Sequence, residues 1–255
     1  MSTKIQWCDE TLNPIIGCSK ISDGCINCYA EKRALRIAHI ELLNNKDFYY
    51  AKVVDTGNLC WNNNVIFKEE VLYKPFHWKK SRMIFINSMS DTFHKKVSFE
   101  WIDKIMIMVK GNQNHVFIML TKRPEIRREY FKNRKDKEIL KNLWLGVTVE
   151  NQKYADKRIP ILLNIPATLH FISAEPIMGN ILLKETWLKK IGWVICGGMS
   201  GTNKYFPLPE WIENLQQQCE MNNIPFLFKQ WGGISSHKNG RRLNGVVYNE
   251  FPELY

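Results

Sequence analysis

The first residues lack an apolar run, so no secretory leader is expected. They read MSTKIQWCDE, with charges and amides where a secretory signal carries an unbroken hydrophobic stretch. Nor does any run reach the length needed to cross a hydrocarbon layer of about 30 Å, the longest candidates being IDKIMIMV and WVICGGM. These two absences predict a cytoplasmic protein with no membrane partner. No internal repeat, low-complexity tract or convincing boundary divides the 255 residues, so a single domain over 1–255 is expected. An even set of cysteines is also missing. Seven thiols in a chain without an export signal argue against a disulfide framework and for reduced thiols able to bind metal.

What is present is the composition of an ordinary globular protein, 45% hydrophobic and 24% charged, which excludes disorder as the starting assumption. A formal net charge of +11 predicts attraction to a polyanion, with a nucleic acid or nucleotide as the natural candidate.

Short apolar runs recur along the chain: RMIFINSMSD, HVFIMLTKRP, LWLGVTVEN, LHFISAEP, GWVICGGMSG and IPFLFKQWGG. Each is nearly continuous in apolar residues, as strands of a parallel sheet covered on both faces are. Helical spacing separates some of them, notably Ile102, Ile105, Met106 and Val109 behind a Ser98 cap, and the LPEWIENLQQQCEMNN segment opened by Pro209. With a first strand placed at NPIIG, the alternation predicts an α/β fold, a partial or complete β/α barrel, with a doubly wound sheet as the alternative. The segment from about 44 to 78 has no clear period and is expected to be an irregular insertion.

Three cysteines, Cys18, Cys25 and Cys28, fall in GCSKISDGCINCYAEKRAL, directly before a helix whose N-terminus favours negative charge. A closed zinc site takes four protein ligands, commonly as two close pairs, and the second pair is missing here. Two readings follow: an iron–sulfur cluster with one iron left open, or a zinc site completed by His39 or Cys60.

The blocks IQWCDETLNPIIGCSKISDGCINCYAEKRA, INSMSDTFH, LTKRPE, LWLGVTVENQ, RIPILLNIPA, FISAEP, WVICGGMSG and PFLFKQWGG follow one another over nearly the whole chain. In that order they resemble the phage-associated three-cysteine-motif family, a branch of the radical S-adenosylmethionine (radical SAM) superfamily. The resemblance implies a barrel of the radical SAM type working in a bacterial host or phage-infected cell. It implies a four-iron four-sulfur (4Fe-4S) cluster on Cys18, Cys25 and Cys28, and SAM chelating the open iron. It further implies reductive cleavage of SAM to a radical that abstracts hydrogen, an electron donor, and a dedicated partner protein. By position, Tyr29 is expected near the adenine, Ser88, Ser90 and Asp91 at the SAM amino group, and Lys122 or Arg123 with Thr148 and Glu150 at its carboxylate and ribose. The chain departs from the family in Met199, where a Glu is common, and in Asn244, where an Asp is usual.

Outside that set, Glu175 and Lys229 are charges at strand ends, where a core edge demands partners. Trp231 beside Lys229 is suited either to stack on a base or to plug the end of the sheet. TKRPEIRREYFKNRKDK, with Arg123, Arg127 and Arg128 at its start, reads as a basic helix able to follow a phosphate backbone, or as a solvated face. The alternative function is a basic nucleic-acid-binding protein whose cysteines hold a structural zinc or iron–sulfur site with no SAM chemistry; a hydrolase using Glu150 or Glu175 with His94 is weaker, because no nucleophile, base and orienting group stand out as a set.

Overall fold

The computed structural model describes residues 3, 5–44, 49–201, 205–234 and 239–253. The six apolar runs form β6 (Met83–Ile86), β7 (Val116–Thr121), β8 (Leu143–Thr148), β9 (Leu169–Ala174), β10 (Trp193–Gly197) and β11 (Phe226–Gln230). Each strand is too short and too apolar to face water, and nearly every position in them is buried.

The first strand lies earlier than NPIIG. It is β1 (Glu10–Leu12), parallel to β6 with Glu10 opposite Ile84 and Leu12 opposite Ile86. The expected isoleucines instead form β2 (Ile15–Ile16), antiparallel to β5 (Ile66–Phe67) in a small separate sheet. The chain leaves the main sheet at Asn13-Pro14 because proline has no N–H for a ladder. There Asn87 takes over both sides of the turn, its N–H donating to the Leu12 carbonyl at 2.7 Å and its Oδ1 accepting from the Ile15 N–H at 3.0 Å.

The strand order is β1-β6-β7-β8-β9-β10-β11, and the defined registers are parallel. The fold is therefore α/β, a seven-stranded sheet with helices between successive strands. By packing, the chain divides into two compact units, 1–144 and 145–255, the boundary falling inside β8.

In the first unit, β1, β6 and β7 carry α1 (Tyr29–Asn44), α2 (Phe99–Gly111) and α3 (Pro124–Asn133). Ser98 caps α2 by accepting from the Trp101 N–H, and Pro124 opens α3 where a missing N–H costs nothing. The segment expected to be irregular is built. It holds a hairpin of β3 (Val54–Asp55) and β4 (Cys60–Trp61), then β5, then a 3-10 segment at Glu69–His77. Val53, Val54 and Trp61 bury themselves against Ala30, Ala34 and Ala38, the small-residue face of α1. Residues 45–48 of that segment lie outside the described residues.

In the second unit, α4 (Gln152–Leu163), α5 (Glu185–Leu188) and α6 (Pro209–Glu220) accompany β9, β10 and β11. Pro209 opens α6 as the sequence predicts. The Phe171 ring fills the space beside Gly146, where any side chain would overlap it. Leu243-Asn244-Gly245-Val246 forms a tight hairpin turn, Leu243 and Val246 exchanging both backbone hydrogen bonds at 2.9 Å. Both central residues have positive φ, 50° and 79°, which Asn and Gly tolerate. Asn244 is thus a turn residue. Among the described residues no helix is long and apolar enough to cross a membrane.

Candidate metal centre

The loop from Gly17 to Cys28 lies against the C-terminal ends of β6 and β7. Gly17 begins it with φ at 92°, a conformation open to glycine, and a side chain there would overlap the Asn64 carbonyl. Cys28 ends it at the mouth of α1, its carbonyl accepting from the Lys32 N–H. Burial raises the Cys28 thiol's pKa, and the backbone N–H groups of Glu31 and Ala30, turned toward the sulfur, work against that rise.

Two cations stand on the other two sulfurs. Lys122 Nζ lies 3.7 Å from Cys25 Sγ, and Arg123 Nη1 lies 3.9 Å from Cys18 Sγ. Burial raises the Cys25 thiol, but Lys122 and hydrogen bonds from the Ile21 and Ser22 region outweigh it, leaving the pKa lowered. At Cys18 burial wins over Arg123, and the thiol is pushed up to about 12. None of the cysteines forms a disulfide.

Asp91 organises this corner. Its Oδ1 accepts from Thr121 Oγ1 at 2.7 Å and the Phe93 N–H at 2.9 Å; its Oδ2 accepts from Arg123 Nη1 at 3.0 Å and the Lys122 N–H at 3.1 Å. Four donors match the roughly four acceptor sites of a carboxylate, so Asp91 is fully engaged within the protein. Arg123 Nη2 then donates to the Ser19 carbonyl at 2.8 Å and to Ser19 Oγ at 3.0 Å, fixing the residue next to Cys18. His94 closes the ring from behind. Its Nδ1 accepts from the Lys96 N–H at 3.2 Å, so its Nε2 carries the proton and donates to Ser19 Oγ at 2.8 Å.

The other residues expected at a SAM site are held by protein partners too. Ser90 Oγ donates to the Ile15 carbonyl at 2.7 Å, and Ser88 Oγ donates to Asn13 Oδ1 at 3.2 Å. Tyr29 is half exposed and donates its hydroxyl to the Ser88 carbonyl. These bonds tie the β6 end to the residues that flank the cysteine loop, a role that side-chain type alone did not distinguish from ligand binding.

Residues 2–252 match a family model described as a protein of unknown function, DUF5131. The chain belongs to the DUF5131 family. No curated protein and no solved structure matches it.

In this DUF5131 member the remaining sequence candidates fall in two other places. Arg127, expected on a basic surface, is fully buried beneath α3, with its guanidinium 5.9 Å from the Phe93 ring centre. Burial removes it from any surface contact with a polyanion, whereas Arg128 is exposed. In the second unit, Glu150 is fully buried, its Oε2 2.7 Å from Arg158 Nη1, which also donates to the Thr148 carbonyl at 2.7 Å. Glu175 Oε1 pairs with Lys229 Nζ at 3.0 Å, and Ser173 Oγ donates to its other oxygen at 3.4 Å. Gly197 leaves room for that pair, since a side chain there would press on the Glu175 carboxylate. Trp231 donates its indole N–H to the Arg242 carbonyl at 2.9 Å and packs edge-on to Phe228.

Arg158 and Glu31 escaped the sequence reading. Glu31, three residues after Cys28, is buried; its Oε1 accepts from the Trp61 N–H at 2.9 Å and its Oε2 pairs with Lys20 at 2.8 Å. Its place inside CYAE was the available signal. His39 lies with Leu35, Arg36 and Ile40 along an apolar groove of about 580 Å³ on α1, and Cys60 lies on β4.

Proposed function

We propose that this DUF5131 chain is an iron–sulfur enzyme of the radical SAM type, with Cys18, Cys25 and Cys28 as the cluster ligands. The observation that carries the reading is the trio itself, on one loop at strand ends, with Lys122 and Arg123 each beside one sulfur. The donor set fits the group: three thiols, two fixed cations and a helix N-terminus suit an anionic cluster. Among the described residues no three His, Cys, Asp or Glu side chains converge as ligands of one ion do.

When bound, a three-cysteine 4Fe-4S cluster supplies an iron open to a chelating ligand and an electron for SAM cleavage, drawn from an external donor. The chain's own residues do the positioning. Arg123, locked by Asp91 and Ser19, fixes the loop at Cys18. Lys122, partly exposed beside Cys25, is placed to meet a ligand carboxylate. Asp91, with its oxygens already engaged, serves as a scaffold rather than as an ammonium acceptor. Hydrogen abstraction from a nucleotide or nucleic-acid-related substrate is the reaction class proposed, supported by the motif resemblance and the net charge of +11. The same resemblance supports a partner protein.

The test is anaerobic iron and sulfide quantification, with EPR of the reduced protein with and without SAM. It is run on the wild type and on the Cys18→Ala, Cys25→Ala, Cys28→Ala triple variant. A wild-type signal that SAM perturbs and the variant lacks supports the reading. Stoichiometric zinc without iron after anaerobic reconstitution overturns it, leaving a basic protein with a structural metal.

A further inference from the structure

The 3-10 segment Glu69–His77 and the residues after it, WKKSR, lead into the N-terminal end of β6, the end of the strand away from the cysteine loop. A 3-10 helix repeats every three residues, so side chains three apart share a face. Val71, Leu72 and Pro75 turn inward and are buried. Tyr73 and Phe76 share the opposite face and are 60% and 55% exposed. Their backbones are one turn apart, about 6 Å at a rise of about 2.0 Å per residue.

The platform under the two rings is fixed. His115 Nε2 bonds the Pro75 carbonyl at 3.1 Å, and Gly111, at the end of α2, leaves room for the Phe76 ring, which a side chain there would crowd. Trp78 is held between Arg82, 5.1 Å from its ring centre, and the edge of His115. Around the rings the charge is positive. Lys74, Lys79 and Lys80 are exposed, and no carboxylate pairs with them among the described residues. Of the acids on this side, Glu69 pairs with Lys104 at 2.7 Å and Glu70 with Lys68 at 3.7 Å, and Glu100 also acts on Lys104.

We infer that this face binds a single-stranded nucleic acid, Tyr73 and Phe76 stacking on two bases while Lys74, Lys79 and Lys80 follow the phosphates. Exposed rings are a use for unstacked bases, which a duplex does not offer and an acidic peptide does not need. The site is separate from the cysteine loop, and binding is independent of any cluster.

The test is fluorescence anisotropy of the full chain with a labelled oligothymidylate of about fifteen bases at low salt. Each ring removed, Tyr73→Ala or Phe76→Ala, is expected to weaken binding at least about fivefold, while Phe76→Tyr retains it. The Lys74→Ala, Lys79→Ala, Lys80→Ala variant is expected to flatten the slope of log K against log salt by about 2, at about 0.7 per contact. The cysteine triple variant binds as the wild type does, so loss of the cluster leaves this result standing. Tyr73→Ala, at a largely exposed ring, keeps the wild-type melting temperature and guards against misfolding. Wild-type affinity in the double ring variant overturns the inference. So does equal competition by a duplex or by polyglutamate, or loss of binding through Arg128→Ala and Lys132→Ala with the rings intact.

Discussion

Arg123 stands between Asp91 and Cys18, its Nη1 3.0 Å from the carboxylate and 3.9 Å from the sulfur. A strand-end acid therefore acts on the cysteine loop through a guanidinium. Asp91→Asn removes the charge while keeping the size, and leaves Arg123 buried without its counter-ion. Breaking such a pair costs about 3 kcal/mol or more, readable as a lower urea midpoint at unchanged slope. On the proposed cluster reading, iron retained after reconstitution should fall with it. Asp91→Asn combined with Arg123→Met should be less destabilised than the two single changes summed; strict additivity would remove the coupling.

His94 gives the fold an acid limit. Burial, then the charge of Arg123, push its pKa from 6.5 down to about 4. The unfolded chain binds a proton at His94 below pH about 6.5 while the folded chain does not, so stability rises with pH across that window. It is complete above the unfolded pKa and is lost as pH falls toward 4, by up to about 3 kcal/mol at 1.36 per unit. Urea unfolding at pH 4.5 and 7.5 should show a steeper acid loss in the wild type than in His94→Gln. Equal losses would mean His94 is not the group responsible.

Glu150 and Arg158 form the other buried pair, 2.7 Å apart with side chains at 0% and 2% exposure. Arg158→Met strands a carboxylate in the core and should destabilise by about 3–5 kcal/mol, whereas Glu150→Leu with Arg158→Met should cost much less. A double-mutant cycle by chemical unfolding separates these outcomes.

Gly146→Ala drives a methyl group into the Phe171 ring. Overpacking of this kind costs about 1–3 kcal/mol. Phe171→Leu in the same chain should recover part of the loss in melting temperature, and failure to do so would place the strain elsewhere.

The strands and capped helices were legible because their signals are local. A period of apolar residues announces β6 through β11, and Ser98 and Pro209 mark where α2 and α6 begin. The first strand was misplaced because ETL is half polar and PII is the more apolar run; only the long-range pairing with Ile84 and Ile86 decides between them. Of the proposed site, only the cysteine trio is a local signal in the sequence. Asp91 with Arg123, Ser19 with His94 and Glu31 with Trp61 join residues 32, 75 and 30 positions apart, and no spacing rule couples such distances. Serines and an aspartate at a strand end read equally well as ligand acceptors and as rivets, and here their oxygens are taken by Asn13, Ile15, Thr121 and Arg123.

Glu31 grips the backbone of Trp61 with one oxygen and Lys20 with the other. One side chain thereby makes the hairpin of the 44–78 segment and the loop between Cys18 and Cys25 into neighbours with a common anchor. Shortening the hairpin would release that anchor and loosen the loop that carries the thiols. The segment that reads as an interruption of the α/β pattern is, mechanically, a clamp on the proposed cluster site.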